Sequence, residues 1–187
     1  MLRITLIISG VVIFALILVS FMAGVFDSVR LSKEMAGPYN LVYREYRGPF
    51  SGIRLTLNDV YKYVRDQKKV RAEAGFGIFY DNPAKTPQDS LRSIAGVITD
   101  SLIEVNDPYK SASFRETEAI VGRFPIRSLL SYVMGTGKFY PSLQKFLEEN
   151  SLELSGPVME IYNSSEKRII YIAPVGSKVS PAPEFGK

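Results

Sequence analysis

From Ile4 to Phe26 the chain carries no charged residue, and Arg3 and Asp27 bound the run. As a helix it reaches roughly 35 Å, enough to cross a ~30 Å hydrocarbon core with some tilt. A helix is also the form that satisfies backbone polar groups where no water reaches them. The pattern predicts an uncleaved anchor over 1–26. Two readings compete. A cleaved signal peptide has a shorter apolar region and a small-residue cleavage site, which Phe21-Met22-Ala23-Gly24-Val25-Phe26 does not offer. A buried core helix would show a polar face, and only Thr5, Ser9 and Ser20 interrupt this one.

After the anchor, a polar linker over 27–38 ends in Gly37-Pro38. The alternation of Tyr39 to Tyr46 predicts a strand, which Arg47-Gly48-Pro49 breaks. Leu57, Val60, Tyr61 and Val64 recur at helical spacing and predict a helix from Leu55 to Lys69. Strands follow at Phe76–Tyr80 and Arg92–Thr99, separated by a polar, proline-containing loop. Asp100 to Arg115 reads as irregular, with Asn106-Asp107-Pro108 as a turn. A second series then begins. Glu118–Phe124 predicts a strand and Ser128–Tyr132 a helical start, interrupted by Gly135-Thr136-Gly137. Tyr140–Asn150 resumes as helix, with Pro141 in its first turn. Pro157–Tyr162 and Arg168–Val175 predict the last strands, and 177–187 a loosely ordered tail.

Both series run strand, helix, strand, turn, strand. Phe79-Tyr80-Asp81-Asn82 aligns with Ile161-Tyr162-Asn163-Ser164, and Ser93-Ile94-Ala95-Gly96-Val97 with Tyr171-Ile172-Ala173-Pro174-Val175. The expected fold is therefore α+β over 39–176: two duplicated β-α-β-β units, 39–99 and 116–176, related by a pseudo-twofold axis. One such unit leaves a sheet edge and an apolar face uncovered, and pairing two covers both while creating a cleft between them.

Composition narrows the chemistry. With no cysteine and no histidine, the chain lacks disulfides, thiol nucleophiles, and the commonest general base and zinc ligands. No metal or cofactor is expected, and no catalytic constellation stands out. The net charge of +4 is too small and dispersed to argue for nucleic acid. Arg30, Lys33 and Arg44 follow the apolar run where only Arg3 precedes it, which leans toward a cytoplasmic C-terminal domain. Gly135-Thr136-Gly137-Lys138 fails as a phosphate loop, because Tyr132 and Phe139 stand where glycine and a hydroxyl residue are needed.

Several stretches together resemble the GyrI-like small-molecule-binding family, the effector module of many bacterial drug sensors. They are Tyr80-Asp81-Asn82-Pro83 followed by Leu91-Arg92, Tyr140-Pro141, Gly156-Pro157-Val158-Met159-Glu160-Ile161-Tyr162, and Tyr171-Ile172-Ala173-Pro174-Val175. The resemblance covers about 40–175. With the N-terminal anchor, the arrangement is similar to a membrane-anchored branch that in animals includes a receptor for autophagy of the endoplasmic reticulum. The resemblance implies the fold and the anchor, not the autophagy role, and the family's ligand mode is one in which flat, often cationic molecules lie between aromatic rings opposite a buried carboxylate.

The final strand, Ile169–Val175, carries no acid where many drug-binding members have one, which leaves Glu160 as the candidate. Tyr80 and Tyr162 are the expected ring faces, with Tyr46 and Phe50 closing one end. The ordinary alternative for Glu160 is a solvent-facing carboxylate paired with Lys167 or Arg168 across the hairpin, and for the tyrosines sheet packing. Asp81-Asn82-Pro83 reads as turn chemistry. The expected function is a membrane-anchored domain, not an enzyme, that holds an amphipathic or aromatic molecule between the repeats. The alternatives are a ligand-free adaptor that recruits a protein, and a weak hydrolase built on Glu160 and a tyrosine.

Overall fold

The structure is a computed structural model and describes residues 2–186. Helix α1 (Leu2–Ala23) is long and apolar enough over Arg3–Met22 to cross a membrane, and that stretch is buried nowhere against the rest of the chain. It ends at Gly24, whose φ of +78° suits a residue without Cβ. Eight strands follow: β1 (Arg30–Ala36), β2 (Tyr39–Arg47), β3 (Ala74–Phe79), β4 (Arg92–Thr99), β5 (Lys110–Phe114), β6 (Thr117–Pro125), β7 (Val158–Asn163) and β8 (Arg168–Pro174). Helix α2 (Ile53–Tyr63) runs on into a π turn at Val64–Lys68, and helix α3 (Leu130–Glu149) links β6 to β7.

All strands join one antiparallel sheet in the order β1-β6-β8-β7-β3-β4-β2-β5. The central pair, β3 and β7, joins the two halves, and each half receives its edge strand from the other. β1 pairs with β6, and β5 pairs with β2. Both helices pack on the same face, α2 over β2, β3 and β4 and α3 over β1, β6 and β8. The other face carries no helix, yet Leu41, Phe76, Ile94, Phe114, Met159 and Ile172 on it are buried in one cluster drawn from both halves. Strand twist lets the halves coil around that cluster, and the C-terminal segment closes it.

Four expectations change. The polar stretch read as a linker contains β1, and the irregular stretch before Arg115 contains β5. Both are edge strands, so charge survives on them: Glu34 meets Arg123 and Lys33 meets Glu118 across the β1–β6 pair. Helix α3 continues through Gly135-Thr136-Gly137 and carries Pro141 in its interior rather than its first turn. The tail is packed. Pro181 and Ala182 are buried, Tyr80 donates its hydroxyl to the Pro183 carbonyl at 2.6 Å, and Phe185 meets the Tyr80 ring edge-on.

The loop from Tyr80 to Arg92 is held as the turn reading expects. The Arg92 backbone N–H and its guanidinium donate to both Asp81 carboxylate oxygens at 2.7 to 3.1 Å, and Asn82 accepts from the Ala84 N–H at 2.9 Å. Arg92 keeps the Asp81 carboxyl below the usual carboxylate range.

Candidate functional site

On the face that the helices cover, cross-strand register sets four residues in a row: Gly122 on β6, Tyr171 on β8, Glu160 on β7 and Gly77 on β3. The adjacent row runs Phe124, Ile169, Tyr162, Gly75. Strand alternation therefore turns Glu160 and Tyr162 inward beneath α3, while Met159 and Ile161 enter the opposite cluster. Glycine flanks the Tyr171–Glu160 pair on both sides. Phe139 of α3 fills the space over Gly122 and stacks on Tyr171, centroids 4.3 Å apart and planes 13° from parallel. On the other side the Phe79 ring folds back over Gly77.

Glu160 is 5% exposed. Tyr162 donates to its Oε2 at 3.1 Å and Tyr140 of α3 to its Oε1 at 3.3 Å. Tyr132, one helical stretch earlier, lies 5.7 Å from the Tyr162 ring. Loss of water pushes the Glu160 carboxyl up to about 7, against the two phenol hydrogen bonds, which favour the ionised form. Burial, and after it the nearby carboxylate, raise the Tyr140 and Tyr162 hydroxyls well above their usual range. Among the described residues, no Lys or Arg is hydrogen-bonded to Glu160 or shifts its titration. A buried carboxyl poised near neutrality, with aromatic faces around it and no resident cation, is suited to receive positive charge.

Close helix approach makes this possible. Gly135 faces Tyr171 and Phe124, and a Cβ there would stand 2.5 Å from the Tyr171 hydroxyl. Thr136 donates to the Tyr132 carbonyl at 2.9 Å, with its hydroxyl 3.5 Å from that of Tyr171. Ser131 accepts from the Arg127 and Ser128 N–H groups at 2.9 and 3.1 Å and so ties the segment that leads into α3 to its first turn.

The sequence profile of the GyrI-like small-molecule-binding domain matches residues 31–171. The chain belongs to the GyrI-like family. No curated protein sequence matches it. Among solved structures, this GyrI-like domain is similar to the C-terminal domain of EcmrR, with 13% identity and a TM-score of 0.62 over 80% of this chain and 98% of that one. It is also similar to EcmrR in a complex with DNA, with 12% identity and a TM-score of 0.61 over 94% and 69% of the two chains. A third is SAV2435 bound to tetraphenylphosphonium, with 12% identity and a TM-score of 0.50 over 81% and 95%. At these identities the likeness is one of fold.

The GyrI-like scaffold sorts the residues that the sequence nominates. Glu160 and Tyr162 come together. Tyr80 lies on the other face, against the helix-free cluster and the C-terminal segment, so the alignment that pairs it with Tyr162 does not hold in register. Phe79, directly across from Val158, shares the face of Glu160 instead. Phe50 packs edge-on against Phe79 at 4.8 Å and so reaches the Glu160 row through Gly77. Tyr46 lies at the start of α2, its hydroxyl against Gly52, where a Cβ would stand 2.1 Å away. Lys167 and Arg168 form no salt bridge with Glu160 among the described residues. Tyr132, Phe139, Tyr140 and Tyr171 escape sequence reasoning as site residues. Their signal was present, since Tyr140 and Tyr171 open two of the resemblance motifs.

Two surface depressions lie elsewhere. One of about 540 Å³ is lined by Tyr43, Val105, Tyr109 and Ser111, and one of about 310 Å³ by Tyr80, Arg92, Ala182 and Phe185. Neither touches Glu160.

Proposed function

We propose that this GyrI-like domain, tethered to a membrane by α1 with the domain on the cytoplasmic side, binds an amphipathic aromatic cation at Glu160. The observation that carries this reading is the buried Glu160 carboxyl, with no Lys or Arg paired to it among the described residues, beneath a set of tyrosine and phenylalanine rings. A ring quadrupole attracts cations, and a desolvated carboxylate adds to that attraction. The tetraphenylphosphonium seen on SAV2435 supports the class of ligand. Rings and α3 pack closely over Glu160, so the ligand displaces part of α3. That helix is weakest at Gly137 and Pro141, which remove side-chain packing and one backbone hydrogen bond in mid-helix. The strand order, alike from both edges, supports descent of the halves from one duplicated unit.

The test is thermal unfolding of the full chain in detergent with tetraphenylphosphonium and with its neutral analogue triphenylphosphine oxide. At 100 times its dissociation constant the cation stabilises by about 2.7 kcal/mol. Glu160→Gln abolishes that shift and Tyr162→Ala weakens it. Equal stabilisation by the neutral analogue, or full retention in Glu160→Gln, overturns the reading. A second reading, a weak hydrolase with Glu160 as general base, draws on the same near-neutral carboxyl beside phenols. It predicts turnover of activated esters that follows ionisation of Glu160 and is lost in Glu160→Gln.

A further inference from the structure

The end of α1 is clamped to the start of α3. Ser128 donates its hydroxyl to the Met22 carbonyl at 3.0 Å. Arg127 forms a two-bond ion pair with Asp27 at 2.7 and 2.8 Å, and its guanidinium lies 4.8 Å from the centre of the Phe21 ring. Lys138 donates to the Gly24 carbonyl at 3.1 Å, to that of Val25 at 2.6 Å and to that of Asp27, which places positive charge on the carbonyl end of α1. Gly24 is buried, and a Cβ there would stand 2.9 Å from the Phe124 ring.

This clamp fixes a height. Met22 is the last residue of the helical stretch apolar enough to span, so Ser128 lies level with the end of the span. Leu129, just before α3, and Leu130 and Val133 in its first turn are 73%, 50% and 65% exposed, and Val25 and Phe26, just after α1, are exposed as well. Five apolar side chains within a few residues of the clamp that joins α1 to α3 have no aqueous reason to stand open together. The same end of the sheet carries Arg30 opposite Arg123, and Arg168 opposite Pro125, with the Lys167 carbonyl bonded to the Ile126 N–H. Arg30, Lys167 and Arg168 are exposed and form no salt bridge among the described residues. An apolar wedge rimmed by basic side chains fits the boundary between acyl chains and anionic headgroups.

We infer that Leu129, Leu130 and Val133 form a second membrane contact, which seats the start of α3 in the headgroup–acyl boundary of an anionic leaflet. The inference rests on the reading of α1 as a membrane span. It also places the helix that covers Glu160 against the bilayer, so movement of α3 and the seating of the domain are one mechanical event.

The chain has no cysteine, so single substitutions give single labels. Leu129→Cys, Val133→Cys, Ile13→Cys and Lys145→Cys are labelled with an environment-sensitive fluorophore in the full chain. The protein is reconstituted into mixed phosphatidylcholine–phosphatidylglycerol vesicles holding shallow or deep nitroxide lipids. The expected result is quenching at 129 and 133 by the shallow nitroxide, at 13 by the deep one, and at 145, on the far end of α3, by neither. Quenching at 13 with none at 129 and 133 overturns the inference and leaves the span standing. Protection of 129 and 133 from aqueous iodide without lipid quenching also overturns it, and assigns the patch to a protein partner or a second copy. No quenching at 13 overturns the span reading itself, and the inference with it.

Discussion

Glu160 shows how one residue draws its character from what surrounds it. In sequence it is an acid between Met159 and Ile161, and a paired surface carboxylate would read the same. Beneath α3 it keeps its proton up to about pH 7 because water has gone and no cation replaces it. The consequence for stability has a definite sign. Below about pH 4.5 the carboxyl is protonated in both folded and unfolded chains, and nothing is lost. As pH rises from there, the unfolded chain releases a proton that the folded chain retains, so stability falls until about pH 7. The full loss is up to about 3 kcal/mol. Denaturant unfolding at pH 5 and pH 8 is expected to show this difference in the wild type and not in Glu160→Gln. A cation that binds the ionised carboxylate is expected to bind more weakly below pH 7, by up to about tenfold per pH unit.

Two glycines on α3, two positions apart, separate packing from propensity at the scale of the element. A Cβ at Gly135 would meet the Tyr171 hydroxyl at 2.5 Å and Phe124 at 3.0 Å, whereas nothing lies within 4 Å of one at Gly137. Gly135→Ala is expected to destabilise by about 1–3 kcal/mol through overpacking. Gly137→Ala gains about 0.5–1 kcal/mol of helix propensity, and chemical denaturation distinguishes the two signs. Sequence reading took Gly135-Thr136-Gly137 as an interruption because glycine disfavours helix on average. Here glycine is what lets the helix lie close to the sheet. The C-terminal segment is a second case. Its prolines suggest disorder, but the Tyr80 hydroxyl and the helix-free cluster hold it. Tyr80→Phe is expected to cost about 1 kcal/mol and to speed amide exchange at 182–186.

At the scale of the whole molecule, one sheet serves two faces with different tasks. The helix-free face is a closed aliphatic and aromatic core shared by both halves, and exchange of edge strands ties those halves together. The helix-covered face holds Glu160 at the central seam, where β7 meets β3. Helix α3 is common to the carboxyl site and to the α1 clamp, through Tyr140 and Lys138 respectively. Through this shared helix, loosening the clamp is expected to loosen the site. Arg127→Ala, which removes the ion pair with Asp27, is expected to increase amide exchange along α3, most in its first two turns, and hydrogen-exchange mass spectrometry of the full chain measures it.

Local pattern was enough for much of this. Helix α1, the two strand–helix–strand–strand series, the loop closed by Asp81, and the alternation that sets Glu160 and Tyr162 on one side of their strand all follow from periodicity and turn chemistry, which act between near neighbours in the chain. The edge strands β1 and β5 were illegible because an edge residue is half solvated and its sequence keeps polar positions that read as linker. The site was only half legible. Tyr140 and Tyr171 are 20 and 11 residues from Glu160, and their meeting depends on the register of β7 against β8 and the distance of α3 from the sheet. Tyr80 and Tyr162 look equivalent along the chain, and a single-residue difference in strand register sends them to opposite faces. The chain's own pattern determined α1, α2 and the six inner strands. Tertiary structure alone decided which side chains share a face, and with that the protonation of Glu160 and the exposed first turn of α3, because burial and close approach arise only when distant segments pack.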